Sequence, residues 1–340
     1  MFLKCIIKSL NKYLIEAQFY KYLLNFKTPG GTSRGVLHQK ETYFLIIKSA
    51  DGIGVGECGI FRGLSCDDRP EYEEKLAWLC KHVHWDFNRL YLELIEFPSI
   101  QFGLEQALLS LKSENSFELF PSEFSRGKDS IPINGLIWMG DEEFMKEQIS
   151  EKLEAGFTTL KMKIGAIDFK TELSILQGIR RHYSSTDLEL RVDANGAFTK
   201  EDALTKLKQL AAFEIHSIEQ PVKAGQWELM ADLCKVSPVP IALDEELIGI
   251  LDSARKKTLL KAIEPQYIIL KPSLIGGFYG SKEWITLAKE FGIGWWITSA
   301  LESNIGLNAI AQFCYTLKND MPQGLGTGSL LVTISTHLCM

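Results

Sequence analysis

Five short stretches of this chain combine side chains that can bind a divalent cation and move a proton: Lys161-Met162-Lys163, Asp193-Ala194-Asn195, Glu219-Gln220-Pro221, Asp244-Glu245-Glu246 and Lys271-Pro272. From Asp193 onward they recur roughly every 25 residues, the length of one strand-plus-helix unit. Three carboxylates at one point repel one another, and a hard cation relieves the repulsion. Oxygen-only ligands suit Mg²⁺, with Mn²⁺ as a substitute, so Asp193, Glu219 and Asp244 are the candidate metal ligands. With three protein oxygens the ion keeps positions open for a substrate carboxylate and for the enediolate formed when the alpha proton leaves. Lys161 and Lys163, two apart on a strand, share a face. Clustered ammonium groups disfavour one another's charge, so one lysine can be neutral and act as a base. Another that stays protonated can stabilise developing negative charge. Taken singly, an Asp or Lys at a strand end is more often a solvated edge residue or a cap. The phase of the whole set points to function.

The elements that must position these residues are legible as a repeat. Apolar runs at 131–138, 158–163, 189–193, 216–219, 241–244, 267–271 and 295–298, with a weak last one near 324–326, read as strands. Helical spacing covers 141–154, 201–213, 226–236, 253–263, 281–291 and 307–317. Thr199 with Asp202 resembles a capping box, and Gly156 and Gly292 fall where helix C-caps are expected. Eight such units predict a β/α barrel, whose active site lies at the C-terminal strand ends. A doubly wound sheet competes, but it usually has fewer strands and a glycine-rich first turn. The first third reads differently. A strand at 43–48, an Asp51-Gly52 turn, a second strand within 49–59, and helices at 71–82 and 103–112 predict an α+β unit. The expected division is a capping unit over 1–115, joined by the tail 328–340, and a barrel over 131–327. The polar stretch 113–130 reads as a linker.

Composition sets the outer bounds. The chain has 340 residues and a net charge of −6, which argues against a nucleic-acid surface. No apolar run is long enough to span a membrane, and the first ten residues are too mixed for a signal peptide. Seven cysteines lack any C-x-x-C spacing, as expected of reduced thiols in a cytoplasmic protein. The remaining signals are weaker. Gly52, Gly54 and Gly56 suggest a hairpin more than a nucleotide loop, and Gly324, Gly326 and Gly328 suggest a tight loop. His82 and His84 have no partner cluster, and no histidine falls at a barrel strand end. Trp295, Trp296 and Phe313 read as core or barrel wall. Ser299 and Glu302, after the seventh strand, are equally compatible with substrate contact and with helix capping.

The spaced set of lysines and acids resembles the enolase superfamily, muconate-lactonizing subgroup, where lysine bases work with Mg²⁺. The resemblance covers nearly the whole chain. It implies an α+β capping domain over a modified (β/α)7β barrel and a small-molecule carboxylate substrate. It implies Mg²⁺ on Asp193, Glu219 and Asp244, Lys163 as the base, Lys271 as a permanent cation on the opposite face, and Lys161 tuning Lys163. Four further stretches narrow the resemblance: Thr32-Ser33-Arg34-Gly35, Phe102-Gly103-Leu104-Glu105-Gln106-Ala107, Asn134-Gly135-Leu136-Ile137 and Ser299-Ala300-Leu301-Glu302-Ser303-Asn304-Ile305-Gly306. They point to a branch that dehydrates a cyclohexadiene carboxylate to an aromatic product on the way to menaquinone. Arg34, Asn195 and Ser299 are then the expected substrate contacts. The family pattern also implies a more polar C-terminal tail than the one found from Leu330 to Met340. Dipeptide epimerases and N-acylamino acid racemases of the same subgroup are the nearest rivals, and a non-catalytic barrel that binds ligands is the distant one. The epimerases usually carry an acidic D-x-D motif, which the run Ser299-Ala300-Leu301-Glu302 lacks.

Overall fold

A computed structural model of the chain describes residues 15–32, 35–50 and 52–334. Arg34, Asp51 and the tail beyond 334 lie outside the described residues, so the expectations placed on them are not followed further.

The N-terminal part is a three-stranded antiparallel sheet, β1 (Glu16–Thr32), β2 (Gly35–Ser49) and β3 (Gly52–Cys58), carrying helices α1 (Tyr72–His82), α2 (Phe87–Glu93) and α3 (Pro98–Ser110). The sequence reading passed over β1 and shortened β2, because much of both strands is exposed and polar. The glycines of β3 lie in an antiparallel hairpin with β2, as expected, and not in a nucleotide loop. A methyl group at Gly54 would collide with the carbonyl of Ala107, and one at Gly56 with the carbonyl of Gly103. Their bare backbone lets α3 lie directly on the sheet.

The rest is a curled parallel sheet whose strands follow one another in order: β4 (Gly135–Ile137), β5 (Thr159–Lys163), β6 (Glu189–Asp193), β7 (Ser217–Glu219), β8 (Ile241–Leu243), β9 (Tyr267–Leu270) and β10 (Gly294–Ile297). Helices α4 (Glu142–Glu154), α5 (Phe169–His182), α6 (Ala203–Ala211), α7 (Trp227–Val236), α8 (Ser253–Ile263), α9 (Gly277–Glu290) and α10 (Asn304–Thr316) cross back between them or follow the last. α5 adds a helix that the periodicity reading did not draw. The eighth position is filled by Gln323 and Gly324, each held by a single bridge, to Ile133 and Thr298 respectively. The architecture is thus a TIM-like α/β barrel of the modified kind, with an α+β capping domain. The expected capping box forms: Thr199 N–H donates to Asp202 at 2.8 Å and Asp202 N–H to Thr199 Oγ1 at 3.4 Å. Gly156 and Gly292 both adopt positive φ beyond helix ends.

Two carboxylates from the N-terminal part cap barrel helices. Glu57 accepts from Ser303 N–H at 3.0 Å, Ser303 Oγ–H at 2.5 Å and Gly306 N–H at 2.8 Å, at the start of α10. Glu105 accepts from Phe278 and Tyr279 N–H at the start of α9. Such groups would otherwise be orphaned donors. The stretch 113–130 is docked and does not run free: Phe117 C=O accepts from Asn308 and Gln312 of α10. Residues 330–332 return to β1, with Lys27 N–H donating to Leu330 C=O and Val332 N–H to Asn25 C=O, both at 2.9 Å.

Asp67 supplies a pH-dependent element. Its Oδ2 accepts from Ser99 N–H and Oγ–H at the start of α3, while its buried Oδ1 has no hydrogen-bond partner. Burial pushes this carboxyl up to about 6. A raised folded value means the stabilisation is complete below the unfolded value near 4 and is lost as pH rises through 6. Asp67→Asn therefore stabilises the fold at pH 8 by up to about 3 kcal/mol and by nothing at pH 4. Denaturant melts at the two pH values check this; equal differences at both would refute it.

Candidate active site

The register of the parallel sheet brings the predicted residues together. Lys163 pairs across the strands with Asp193, and Asp193 with Glu219. Asp244 and Lys271 follow directly on β8 and β9. All six sequence-predicted catalytic and metal-binding residues therefore stand at the C-terminal ends of adjacent strands. With eight positions around the barrel, β5 and β9 lie four apart, so Lys163 and Lys271 face each other across its mouth.

The side chains form one charged network. Lys161 Nζ lies 3.0 Å from Asp193 Oδ2 and also contacts Glu219. Lys163 Nζ donates to Asp193 Oδ2 at 3.1 Å and to Asn195 Oδ1 at 2.8 Å. Lys271 Nζ donates to Asp244. Asn195, held at φ 43°, also donates to Glu245 Oε1 at 3.2 Å. Burial alone would push the Asp193 carboxyl up, but Lys161, Lys163 and Lys271 outweigh it and hold it well below the usual range. Burial, and then Asp193, push Glu219 well above that range. Burial also works against the charge of Lys161 and Lys271. The surrounding acids overcome it, led by Asp193 for Lys161 and Asp244 for Lys271, and both lysines are raised and held cationic. The mutual repulsion of ammonium groups expected from the sequence is thus outweighed at these two positions.

Among the described residues, no three His, Cys, Asp or Glu side chains are grouped so as to hold a metal ion as they stand. The lysine ammonium groups lie between the carboxylates instead. The donor set nevertheless fits a divalent cation. Glu219 Oε1 is buried and accepts no hydrogen bond, a costly state for a carboxylate oxygen. Four carboxyl groups, counting Glu245, face three lysines, and burial pushes two of them, Glu219 and Glu245, above the usual range, a burden that a divalent cation would relieve.

The pocket above this network has a volume of about 100 Å³. Phe61 and Leu64 of the capping domain, Leu136 and Trp138 of the first barrel strand, and Ser299 to Leu301 wall it in. Trp296 forms part of the floor, stacked 4.4 Å from the guanidinium of Arg191. Of the two residues left open after the seventh strand, Ser299 lines the pocket and bonds Thr327. Glu302 is turned away. It accepts from Ser273 Oγ–H at 2.5 Å and from Ala300 N–H at 2.7 Å, and Ser303 is the residue that caps α10.

Gln220 was not singled out by sequence reasoning. Its Oε1 accepts from Asp244 N–H at 3.2 Å and Glu246 N–H at 3.3 Å, and its Nε2 donates to Glu246 at 3.0 Å. It therefore fixes the backbone that presents Asp244. Its place beside Glu219 was the available signal. The walls at Phe61, Leu64, Leu136 and Trp138 had no polar signature to find.

The profile of the enolase C-terminal domain-like family matches residues 144–333. An o-succinylbenzoate synthase of Desulfotalea psychrophila is 46% identical over 93% of this chain and 94% of its own length. The crystal structure of MenC from D. psychrophila superposes with a TM-score of 0.83 at 42% identity, covering 94% of this chain and 96% of that one. A dipeptide epimerase of Enterococcus faecalis, complexed with Mg and the dipeptide L-Leu-L-Tyr, shares the fold with a TM-score of 0.82 at 20% identity, over 94% of this chain and 92% of that one.

Proposed function

The chain belongs to the enolase superfamily, and on that premise we propose that it is an o-succinylbenzoate synthase. This lyase dehydrates 2-succinyl-6-hydroxy-2,4-cyclohexadiene-1-carboxylate to o-succinylbenzoate in menaquinone biosynthesis, in the cytoplasm. The observation that carries the reading is Lys163 and Lys271 opposed across the barrel mouth, with Asp193, Glu219 and Asp244 between them.

Asp193, Glu219 and Asp244 hold Mg²⁺ in this reading, with Mn²⁺ as a substitute. When bound, the ion supplies the positive charge that an enediolate needs. Lys163 takes the proton alpha to the carboxylate, and the electron pair of that C–H bond moves toward the carboxylate. Lys271, held cationic, faces the growing negative charge from the other side. The electrons then return to expel the hydroxyl on the face where the proton left. Lys163 hands its proton to that oxygen, water departs, and the ring becomes aromatic. Asn195 fixes the Lys163 ammonium through its carbonyl, and Ser299 contributes a hydroxyl to the pocket wall. Phe61 and Leu64 keep the site dry, which strengthens each of these charge interactions.

An epimerase would need an acid in the pocket to hold a dipeptide amine, and Glu302, the acid after β10, is committed to Ser273 and Ala300. Incubating the protein with the cyclohexadiene carboxylate, with and without Mg²⁺, and following its ultraviolet absorbance tests the proposal. Rapid, metal-dependent loss is expected. Absence of turnover by folded, metal-loaded protein, with racemisation of N-acyl amino acids or dipeptides, would move the assignment to the epimerase and racemase branch.

A further inference from the structure

The strand end that carries Lys271 is gripped from behind. Ser273 lies two residues beyond Lys271, in the single turn Pro272–Leu274, and Leu274 N–H closes that turn on Lys271 C=O at 2.8 Å. The buried Ser273 hydroxyl donates to Glu302 Oε1 at 2.5 Å. The other oxygen of Glu302 accepts from Ala300 N–H at 2.7 Å. Ala300 and Leu301 wall the pocket, and Leu301 stands at φ 62°, a left-handed conformation that a leucine keeps only when its surroundings hold it there. One carboxylate thus ties the turn after β9 to the strained segment after β10.

That carboxylate depends on the capping domain. Glu302 is 1% exposed, and Glu57, a second buried acid, works against its charge. Lys40, on β2, works for it. Lys40 is 5% exposed, its Nζ makes no hydrogen bond, and it lies 5.9 Å from the centre of the Phe61 ring, which walls the pocket. Burial is the largest influence on both groups, lowering Lys40 and raising Glu302. Each acts to keep the other charged, and Glu57 also supports Lys40. A buried ammonium without a hydrogen bond is costly, so packing alone does not account for a lysine here. The backbone of the capping domain runs directly against the grip: a Cβ on Gly59 would stand 3.1 Å from Glu302 Cγ and 3.3 Å from Ser273 Cβ.

We propose that Glu302 is a positioning residue for Lys271, and that Lys40 of the capping domain is the counter-charge that keeps Glu302 in its grip. The inference rests on the synthase reading, in which Lys271 faces the negative charge of the enediolate. Neither Glu302 nor Lys40 touches the substrate in this account. Lys271 meets that charge only as it develops, so a displaced Lys271 slows the chemical step and leaves ground-state binding almost as it was. The pocket wall keeps its second tie, from Ser299 to Thr327.

Steady-state kinetics with the cyclohexadiene carboxylate, and calorimetric titration of o-succinylbenzoate onto the Mg²⁺-loaded protein, test this. Lys40→Met keeps the length of the side chain and removes its charge. Its kcat is expected to fall about tenfold, short of the ~10²-fold that a misplacement of about 1 Å can cost. KM and the affinity for o-succinylbenzoate stay within about threefold of wild type, as expected of an interaction made in the transition state. Lys40→Arg keeps the charge and most of the rate. Glu302→Gln loses about as much as Lys40→Met, and combining the two costs no more than about twofold further, because coupled residues do not add. A Lys40→Met kcat within about twofold of wild type, a Lys40→Arg variant as slow as Lys40→Met, or losses that multiply in the double variant overturn the inference and leave the synthase reading intact. Should Lys40→Met fail to fold, Ser273→Ala decides: it removes one hydroxyl, a lowered kcat at unchanged KM supports the positioning role, and an unchanged kcat overturns it. Wild-type protein that does not turn over the precursor overturns the synthase reading and this inference with it.

Discussion

Lys163→Ala is expected to abolish turnover of the cyclohexadiene carboxylate, with a fall in kcat of about 10²–10⁴-fold or more, the usual worth of a positioned general base. The substitution removes the only group in this reading that both takes the alpha proton and returns it to the leaving hydroxyl, so two bond changes lose their proton carrier together. The rest of the network survives it. Asp193 keeps its contact with Lys161 at 3.0 Å, and Asp244 keeps Lys271. Mg²⁺ titration should therefore give a saturable isotherm in the variant. Lys163→Arg, which retains the charge but cannot deprotonate at neutral pH, should be nearly as inactive. A Lys163→Ala rate within a few-fold of wild type would remove Lys163 from the role of base.

Glu219→Gln is expected to move activity and stability in opposite directions. Glu219 is 3% exposed, its Oε1 accepts no hydrogen bond, and Asp193 lies on the neighbouring strand at the same level. In the metal-free protein burial and Asp193 outweigh the help of Lys161, which keeps Asp193 at 3.0 Å when Glu219 is neutralised, and an amide of the same shape should stabilise by about 1–3 kcal/mol. With Mg²⁺ present the order reverses. Wild type gains stability from the bound ion in proportion to its saturation, and the variant, lacking one of three ligand carboxylates, gains much less. Turnover should fall by about 10³-fold, since the loss of metal charge removes several kcal/mol of transition-state stabilisation. Thermal melts with and without Mg²⁺ check the stability arm. A variant that melts below wild type in both conditions would mean that Glu219 serves the fold and does not serve the ion.

The sequence disclosed the site more fully than the frame around it. Lys161, Lys163, Asp193, Glu219, Asp244 and Lys271 were legible because a parallel barrel converts a sequence period into a spatial ring. Helix ends were less legible wherever the signal was remote. The start of α9 was expected at 281 and lies at Gly277, and that of α10 was expected at 307 and lies at Asn304. In both cases a glutamate some 170 to 250 residues earlier in the chain accepts from N–H groups at the start of the helix. No window of local sequence contains that partner. The last strand was weak in the sequence for a related reason, since only Gln323 and Gly324 pair there. In β1 the less exposed positions are Ala17, Phe19, Tyr22, Leu24 and Phe26, but the exposed Tyr20 and Leu23 blur that alternation in the sequence. Glu302 shows the converse limit. Its type and position suited a substrate contact, and only the placement of Ser273 shows where its carboxylate went.

The capping of α9 by Glu105 and of α10 by Glu57 bears on how the molecule is made. The last two helices of the barrel satisfy their first turns only in part with their own neighbours: Ser303 Oγ accepts from Ile305 N–H, but the Ser303 and Gly306 N–H groups bond Glu57, and those of Phe278 and Tyr279 bond Glu105. They borrow acceptors from a part of the chain that leaves the ribosome first. The N-terminal sheet and α3 thus wait as an unfinished surface until residues 277–306 emerge, and the final barrel helices lock onto acceptors already in place. A barrel expressed without residues 1–115 would lack the Glu105 and Glu57 acceptors at the N-terminal turns of α9 and α10. The two parts should consequently melt in one transition, as a single cooperative unit and not as a lid over an independent body.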